Sequence, residues 1–175
     1  MRYVALLRGI NVGGKNMIKM ETLRSTFETL GFENVKSYIN SGNLAFGTKK
    51  THDAKLAAII RDAIKKDFGF DISVMVRSMD EINEIVKNNP FAGQFENDKY
   101  MHVFFLDSDL SNGHLELIES INNDDERIEV SGRTLYCCLK ISILDSAVGK
   151  GFIDKKLKIR ATARNWRRVE KLAEL

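Results

Sequence analysis

Proline occurs once in the 175 residues, at Pro90, cysteine only as the adjacent pair Cys137-Cys138, and histidine only at His52, His102 and His114. Each scarcity excludes something. With one proline and no low-complexity stretch, the chain has no long linker. Two neighbouring cysteines make no disulfide framework. On a strand they would point to opposite faces and could not pair without strain. Two free thiols fit a reducing compartment. Three scattered histidines and no Cys/His spacing leave no zinc site. The N-terminal apolar run, Tyr3–Leu7, is too short for a signal-peptide core, and no run approaches a bilayer span. No serine sits in a nucleophile elbow, and neither cysteine has a basic neighbour in sequence to activate it. The expectation is a soluble, cytoplasmic protein with no membrane partner, no metal and no cofactor.

What is present is ordinary globular material, 43% hydrophobic and 29% charged, in a chain long enough to bury a core without disulfides or metal. The net charge of +3 is too small to imply a nucleic-acid or membrane partner, but it is unevenly placed. From Gly149 to Leu175 nine Lys/Arg face three acids, so this stretch carries +6 and the remainder −3.

Arg2–Arg8 reads as a first strand, followed by a loop over Gly9–Lys19. A helix over Met20–Leu30 carries Leu23, Phe27 and Leu30 on one stripe, with Gly31 at its C-cap. Val35–Ile39 and Leu44–Phe46 are short strands around the hairpin signal Asn40-Ser41-Gly42-Asn43. Asp53–Phe68 is a second helix with Leu56, Ile59, Ile60, Ala63 and Ile64 toward the core, and Ile72–Val76 is a fourth strand. The order β-α-β-β-α-β is that of the ferredoxin-like fold, with an antiparallel sheet in strand order fourth-first-third-second.

The second half repeats the theme less cleanly. Met79–Lys87 reads as a helix ended by Pro90. Tyr100–Leu106 is an apolar strand, Leu115–Ile121 a helix, and Arg127–Val130 and Leu135–Ile143 are strands around the turn Ser131-Gly132-Arg133. Two short helices follow, near Lys150–Leu157 and Ala163–Ala173. An internal duplication is in keeping with this order, although no residue-level repeat marks it. The fold class is therefore α+β, with a ferredoxin-like domain over residues 1–78 and a second, related α+β domain over 79–175 that ends in a basic helix.

The most informative local signal is Gly9-Ile10-Asn11-Val12-Gly13-Gly14-Lys15-Asn16. It comes within one residue of G-x-x-x-x-G-K-[ST], with Asn16 where the hydroxyl belongs. Nucleotide hydrolysis fits poorly, because Ile18 and Met20 imply further irregular residues before the helix and the split topology is the wrong frame. Two readings remain: loop amides and Lys15 holding an anion, or Gly9, Gly13 and Gly14 permitting a positive-φ turn that binds nothing. The sheet also invites an RNA-recognition reading through Tyr3–Leu7 and Asn43–Phe46. Against it stands the reading that the same residues are core. At the other end, Thr162 reads as an N-cap, Trp166, Val169, Leu172 and Ala173 form an apolar stripe, and Arg164 and Asn165 lie off it. His102, inside an apolar strand, reads as a hydrogen-bonded core histidine.

The blocks Arg8–Asn16, Met20–Arg24, Leu30–Phe32, Tyr38–Asn43 and Ala161–Trp166 together resemble the signature of DUF1697, a bacterial family of unknown function. The resemblance spans the chain and implies an α+β protein with a ferredoxin-like first part and a second α+β part. It implies no activity, cofactor or catalytic residue. The leading expectation is a non-enzymatic binding module for a phosphate-containing small molecule or nucleic acid. Its surface would combine Arg8, Asn11, Lys15, Asn16 and Asn43 with Arg164 and Asn165. The alternatives are an enzyme acting on a phosphorylated small molecule, with Lys15 as electrostatic stabiliser, and a protein-interaction module. Ligand identity and oligomeric state are not legible in the sequence.

Overall fold

The structure, a computed structural model, describes residues 1–175. The chain forms two compact units, one of Met1–Val86 with Lys171–Leu175 and one of Lys87–Glu170. No helix is long and apolar enough to cross a membrane.

The first unit runs β1 (Arg2–Leu7), α1 (Met20–Thr29), β2 (Glu33–Ser37), β3 (Asn43–Gly47), α2 (Asp53–Phe68), β4 (Val74–Ser78) and α3 (Met79–Lys87). The sheet order is β2-β3-β1-β4 and every pairing is antiparallel, as the split β-α-β pattern required. The uninterrupted apolar run of β1 takes the central position, since a strand paired on both edges and buried on both faces needs no polar alternation. One face sets Tyr3, Ala5, Leu7, Leu44, Phe46, Val74 and Val76 against Leu23 and Phe27 of α1 and Leu56, Ile60 and Ile64 of α2. The opposite face, with Val4, Leu6, Ala45, Met75 and Arg77, is buried as well. Ile59, expected in the core, is exposed, because the buried stripe of α2 follows a strict four-residue spacing that passes it by.

This packing removes the RNA-recognition reading. Tyr3 stacks on Phe46 at 5.9 Å, Phe46 on Phe32 at 4.4 Å, and Phe27 meets Phe46 edge-on at 5.5 Å. These rings lie in the core, where burial and ring–ring contact hold them. No base can reach them.

The second unit holds β5 (Met101–Leu106), α4 (Asn112–Ile121), β6 (Glu126–Ser131), β7 (Thr134–Leu139), β8 (Ala161–Asn165) and the start of α5 (Trp166–Ala173). Four expectations need correction. Ala161–Asn165 is a strand, so the last helix begins at Trp166 and not near Ala163. Alanine's helix preference yields here because β5 has a free edge, and pairing satisfies its main-chain groups. The true N-cap is Asn165, whose Oδ1 accepts from Arg168 N at 3.1 Å, while Thr162 Oγ1 accepts from Arg164. The strand expected over Leu135–Ile143 stops at Leu139, and the helix expected near Lys150–Leu157 is a five-residue π-turn over Ile153–Leu157. Cys137 faces the helix-side core and both thiols are free. Burial first, then the Glu126 and Cys138 charges, push the Cys137 thiol well above its usual range.

The two units repeat one sheet order and several of the same main-chain bonds. Sheet order β6-β7-β5-β8 matches β2-β3-β1-β4. In the first, Val4 pairs Arg77 and Tyr3 pairs Ser78; in the second, Val103 pairs Arg164 and His102 pairs Asn165. Leu7 N donates to Gly42 O as Leu106 N does to Arg133 O, and Arg8 N to Ser73 O as Asp107 N does to Arg160 O. Arg77 and Arg164 are both buried, and each donates from Nη1 to the carbonyl of the residue before it. The next residue, Ser78 or Asn165, caps the following helix: Ser78 Oγ accepts from Glu81 N, and Asn165 Oδ1 from Arg168 N. The duplication that the order of elements hinted at is present in the main chain and almost absent from the side chains.

Candidate functional site

Against this repeated frame one segment of the first unit stands out. Residues 8–19 join β1 to α1, whereas the corresponding join from β5 to α4 needs only residues 107–111. A loop more than twice the length of its counterpart, on an otherwise constant scaffold, is where a fold carries its special chemistry.

Local sequence builds this loop. The chain reverses at Val12-Gly13-Gly14-Lys15, where Lys15 N donates to Val12 O at 3.0 Å. Gly13 and Gly14 take φ of 58° and 72°, the two successive positive values of a type I′ turn, which glycine adopts without strain. Asn11 and Asn16 flank the turn at φ 54° and 49°, and asparagine is the residue that best tolerates this region after glycine. Asn11 N donates to Asn16 O at 3.2 Å and adds a second rung. The loop is thus a small hairpin, and α1 opens only at Met20, so no helix N-terminus stands at the Gly-Lys pair as in a phosphate-cradling loop.

Side-chain amides brace it. Asn11 Nδ2 donates to Ile18 O at 3.0 Å and Asn40 O at 2.8 Å, while its Oδ1 accepts from Ile18 N at 2.7 Å. Asn16 Nδ2 donates to Gly9 O at 3.0 Å. Asn11 therefore ties the loop to the β2–β3 hairpin. In that hairpin Asn43 is fully enclosed, with Nδ2 donating to Tyr38 O at 3.2 Å and Ser41 Oγ at 2.9 Å. Gly42, at φ 78°, leaves no room for a side chain: a Cβ there would lie 2.7 Å from Leu7 Cβ.

The sequence-derived site residues thus divide. Asn11, Asn16 and Asn43 spend their amides on main-chain carbonyls and on one hydroxyl, and they shape the loop and hairpin. Arg8 is half-buried at the end of β1. Lys15 is exposed at the hairpin tip and its side chain makes no hydrogen bond or ion pair. Arg164 and Asn165 belong to the second unit. Arg164 is 5% exposed and donates to Thr162 Oγ1 and Ala163 O, both at 2.8 Å. Burial, then the neighbouring charge of Arg168, lower its pKa to about 10, so it stays charged at neutral pH. What residue patterns missed is apolar: Val12, Met17 and Ile39 are exposed around this loop and hairpin. Ile39 adopts φ 50°, a costly value for a β-branched side chain.

The second unit has an open cleft of about 440 Å³ bounded by Phe91, Gln94, Glu119, Asn122, Arg127 and Glu129. Arg127 lies 5.0 Å over the Phe91 ring and donates to Gln94 Oε1 at 2.8 Å. Asn122 donates to Ile128 O and accepts from Ile128 N, imitating a neighbouring strand and closing the edge of β6. With two carboxylates against one engaged guanidinium, this cleft does not favour an anion.

A search of curated proteins finds no match. The chain is similar to a solved structure described as conserved bacterial protein SP0830 from Streptococcus pneumoniae, at 28% identity and a TM-score of 0.78, covering 99% of this chain and 97% of that one. The profile described as "Protein of unknown function (DUF1697)" matches residues 1–136, and the chain belongs to that family.

Proposed function

We propose that the protein is a non-enzymatic binding module whose recognition element is the braced hairpin loop of residues 8–19. Its ligand is a phosphate-bearing small molecule with an apolar part. One observation carries this reading: the duplicated scaffold lacks this loop in the second unit, and the loop's own hydrogen bonds hold Lys15 free at its tip. A pre-organised cation loses little entropy on binding an anion. Exposed Val12, Met17 and Ile39 offer the apolar part a surface. Within residues 8–19 the ionisable side chains are Arg8, Lys15 and Lys19, all cations, which suits binding and supplies no general acid or base near neutral pH.

A panel of nucleotides and sugar phosphates screened by thermal shift, followed by calorimetric titration of the hits, tests this. A charge-assisted contact is worth about 1.5–3 kcal/mol, so Lys15→Met weakens binding roughly ten- to a hundred-fold. Equal affinities for wild type and variant refute the reading.

A further inference from the structure

We infer that the connection between β7 and β8 in the second unit is a docking surface for the phosphate backbone of duplex nucleic acid. It goes beyond the small-ligand reading and rests on other residues.

Between residues 150 and 160 the chain carries Lys150, Lys155, Lys156, Lys158 and Arg160, and all five are exposed. None is in an ion pair. The corresponding connection of the first unit is the regular helix α2, where Arg61 is neutralised by Asp71 at 2.7 Å. Five cations against one acid, Asp154, within one short segment are an electrostatic footprint that a net charge of +3 hides.

The array is rigid. Ile153, Leu157 and Ile159 are buried beneath it. The π-turn closes at Lys158, whose φ of 57° turns the chain, and Ile159 N donates back to Ile153 O at 3.4 Å. Upstream, the buried Glu126 carboxylate accepts from Ala147 N at 2.8 Å and Val148 N at 2.9 Å. Ser146, also buried, accepts from Gly149 N and donates to Ile143 O. Gly149 admits no side chain, since a Cβ would collide with Ile143 O. Lys155 Nζ reaches Lys150 O at 3.1 Å, which ties the middle of the array to its first residue. A backbone anchored this way presents its cations to an anion with less ordering cost than a flexible basic tail.

The flanking chemistry selects the partner. Single strands need exposed aromatic rings to stack bases, and residues 140–160 contain only Phe152, which is half-buried. A bilayer interface needs an apolar face, and the connection exposes one large apolar side chain, Leu144, at 77%. Duplex backbone asks only for cations.

The test is fluorescence anisotropy of the full chain with a labelled DNA duplex of mixed sequence, titrated at several salt concentrations. Each phosphate contact contributes about −0.9 to the log–log slope of affinity on salt. Five contacts give about −4.5, or a loss of several hundred-fold between 50 and 200 mM salt. Neutralising Lys155, Lys156, Lys158 and Arg160 to Gln leaves Lys150 alone and a slope near −1. A control with Lys49, Lys50, Lys65 and Lys66 changed to Gln makes the same change in net charge in the first unit and leaves the slope within one contact of wild type. Lys15→Met leaves duplex binding unchanged, so failure of the loop reading and failure of this one are told apart. Equal losses in the two quadruple variants, a wild-type slope shallower than −2, or 155–160-dependent binding to phosphatidylserine vesicles without binding to duplex overturns the proposal.

Discussion

Asn11 offers the sharpest test of how the loop is held. Asn11→Ala removes two donated hydrogen bonds, to Ile18 O and Asn40 O, and one accepted from Ile18 N. Each is worth about 1 kcal/mol net. Alanine at φ 54° adds about 1–2 kcal/mol of backbone strain. Water reaching the exposed Asn40 side recovers part of this, leaving a loss of about 3–4 kcal/mol. The loss is global, because Ile10 and Ile18 belong to the main core of the first unit and leave it if the loop detaches. In a unit of about 90 residues it lowers Tm by roughly 12–32 °C, at about 4–8 °C per kcal/mol. Asn11→Gly separates the two contributions, since glycine adopts φ 54° freely and keeps only the hydrogen-bond loss. Thermal unfolding followed by circular dichroism, with hydrogen exchange at the Ile18 amide, measures both. An Asn11→Ala protein with wild-type Tm and wild-type protection at Ile18 refutes the bracing role.

Two further outcomes follow from other sites. Gly42→Ala forces a Cβ against Leu7 and Ile10 at φ 78°, so it costs about 2–5 kcal/mol from strain and overpacking together, read as a lower denaturation midpoint; a midpoint equal to wild type contradicts the close approach. His102 is held below its ordinary value of 6.5 by burial, against an opposing hydrogen bond to Lys99 O at 2.7 Å. The unfolded chain therefore takes up a proton below pH 6.5 that the folded chain refuses, and stability falls as pH drops from 6.5 toward the folded value. His102→Gln flattens that part of the stability–pH curve, and an unchanged curve shows that His102 does not contribute to it.

Much of the fold was legible because it is written in short-range periodicity. Leu23 and Phe27 on α1, and Leu56, Ile60 and Ile64 on α2, mark their stripes within a few turns. Gly31 marks the end of α1. The order of the first sheet followed from the alternation of elements and the short hairpin at Asn40–Asn43. At the loop of residues 8–19 the sequence left turn geometry and anion binding undistinguished. A turn that needs Asn-x-Gly-Gly-x-Asn for its dihedral angles and a loop that offers the same residues to a phosphate look alike in sequence. They differ only in whether the amides already have partners.

By itself the sequence determined the class of the protein, the order of the first sheet, the glycine-rich reversal at residues 13–14 and the basic bias after residue 149. All of these depend on residues near one another in the chain. Tertiary structure alone decided the rest. Ala161–Asn165 became a strand because β5, sixty residues away, had an edge to fill. Arg164 went inside while the cations between Lys150 and Arg160 stayed out, because strand alternation and the π-turn, not charge, set which side chains face solvent. The duplication emerged chiefly in the main-chain bonds, since hydrogen-bond register survives almost any side chain that fits, and side-chain identity is what sequence comparison reads.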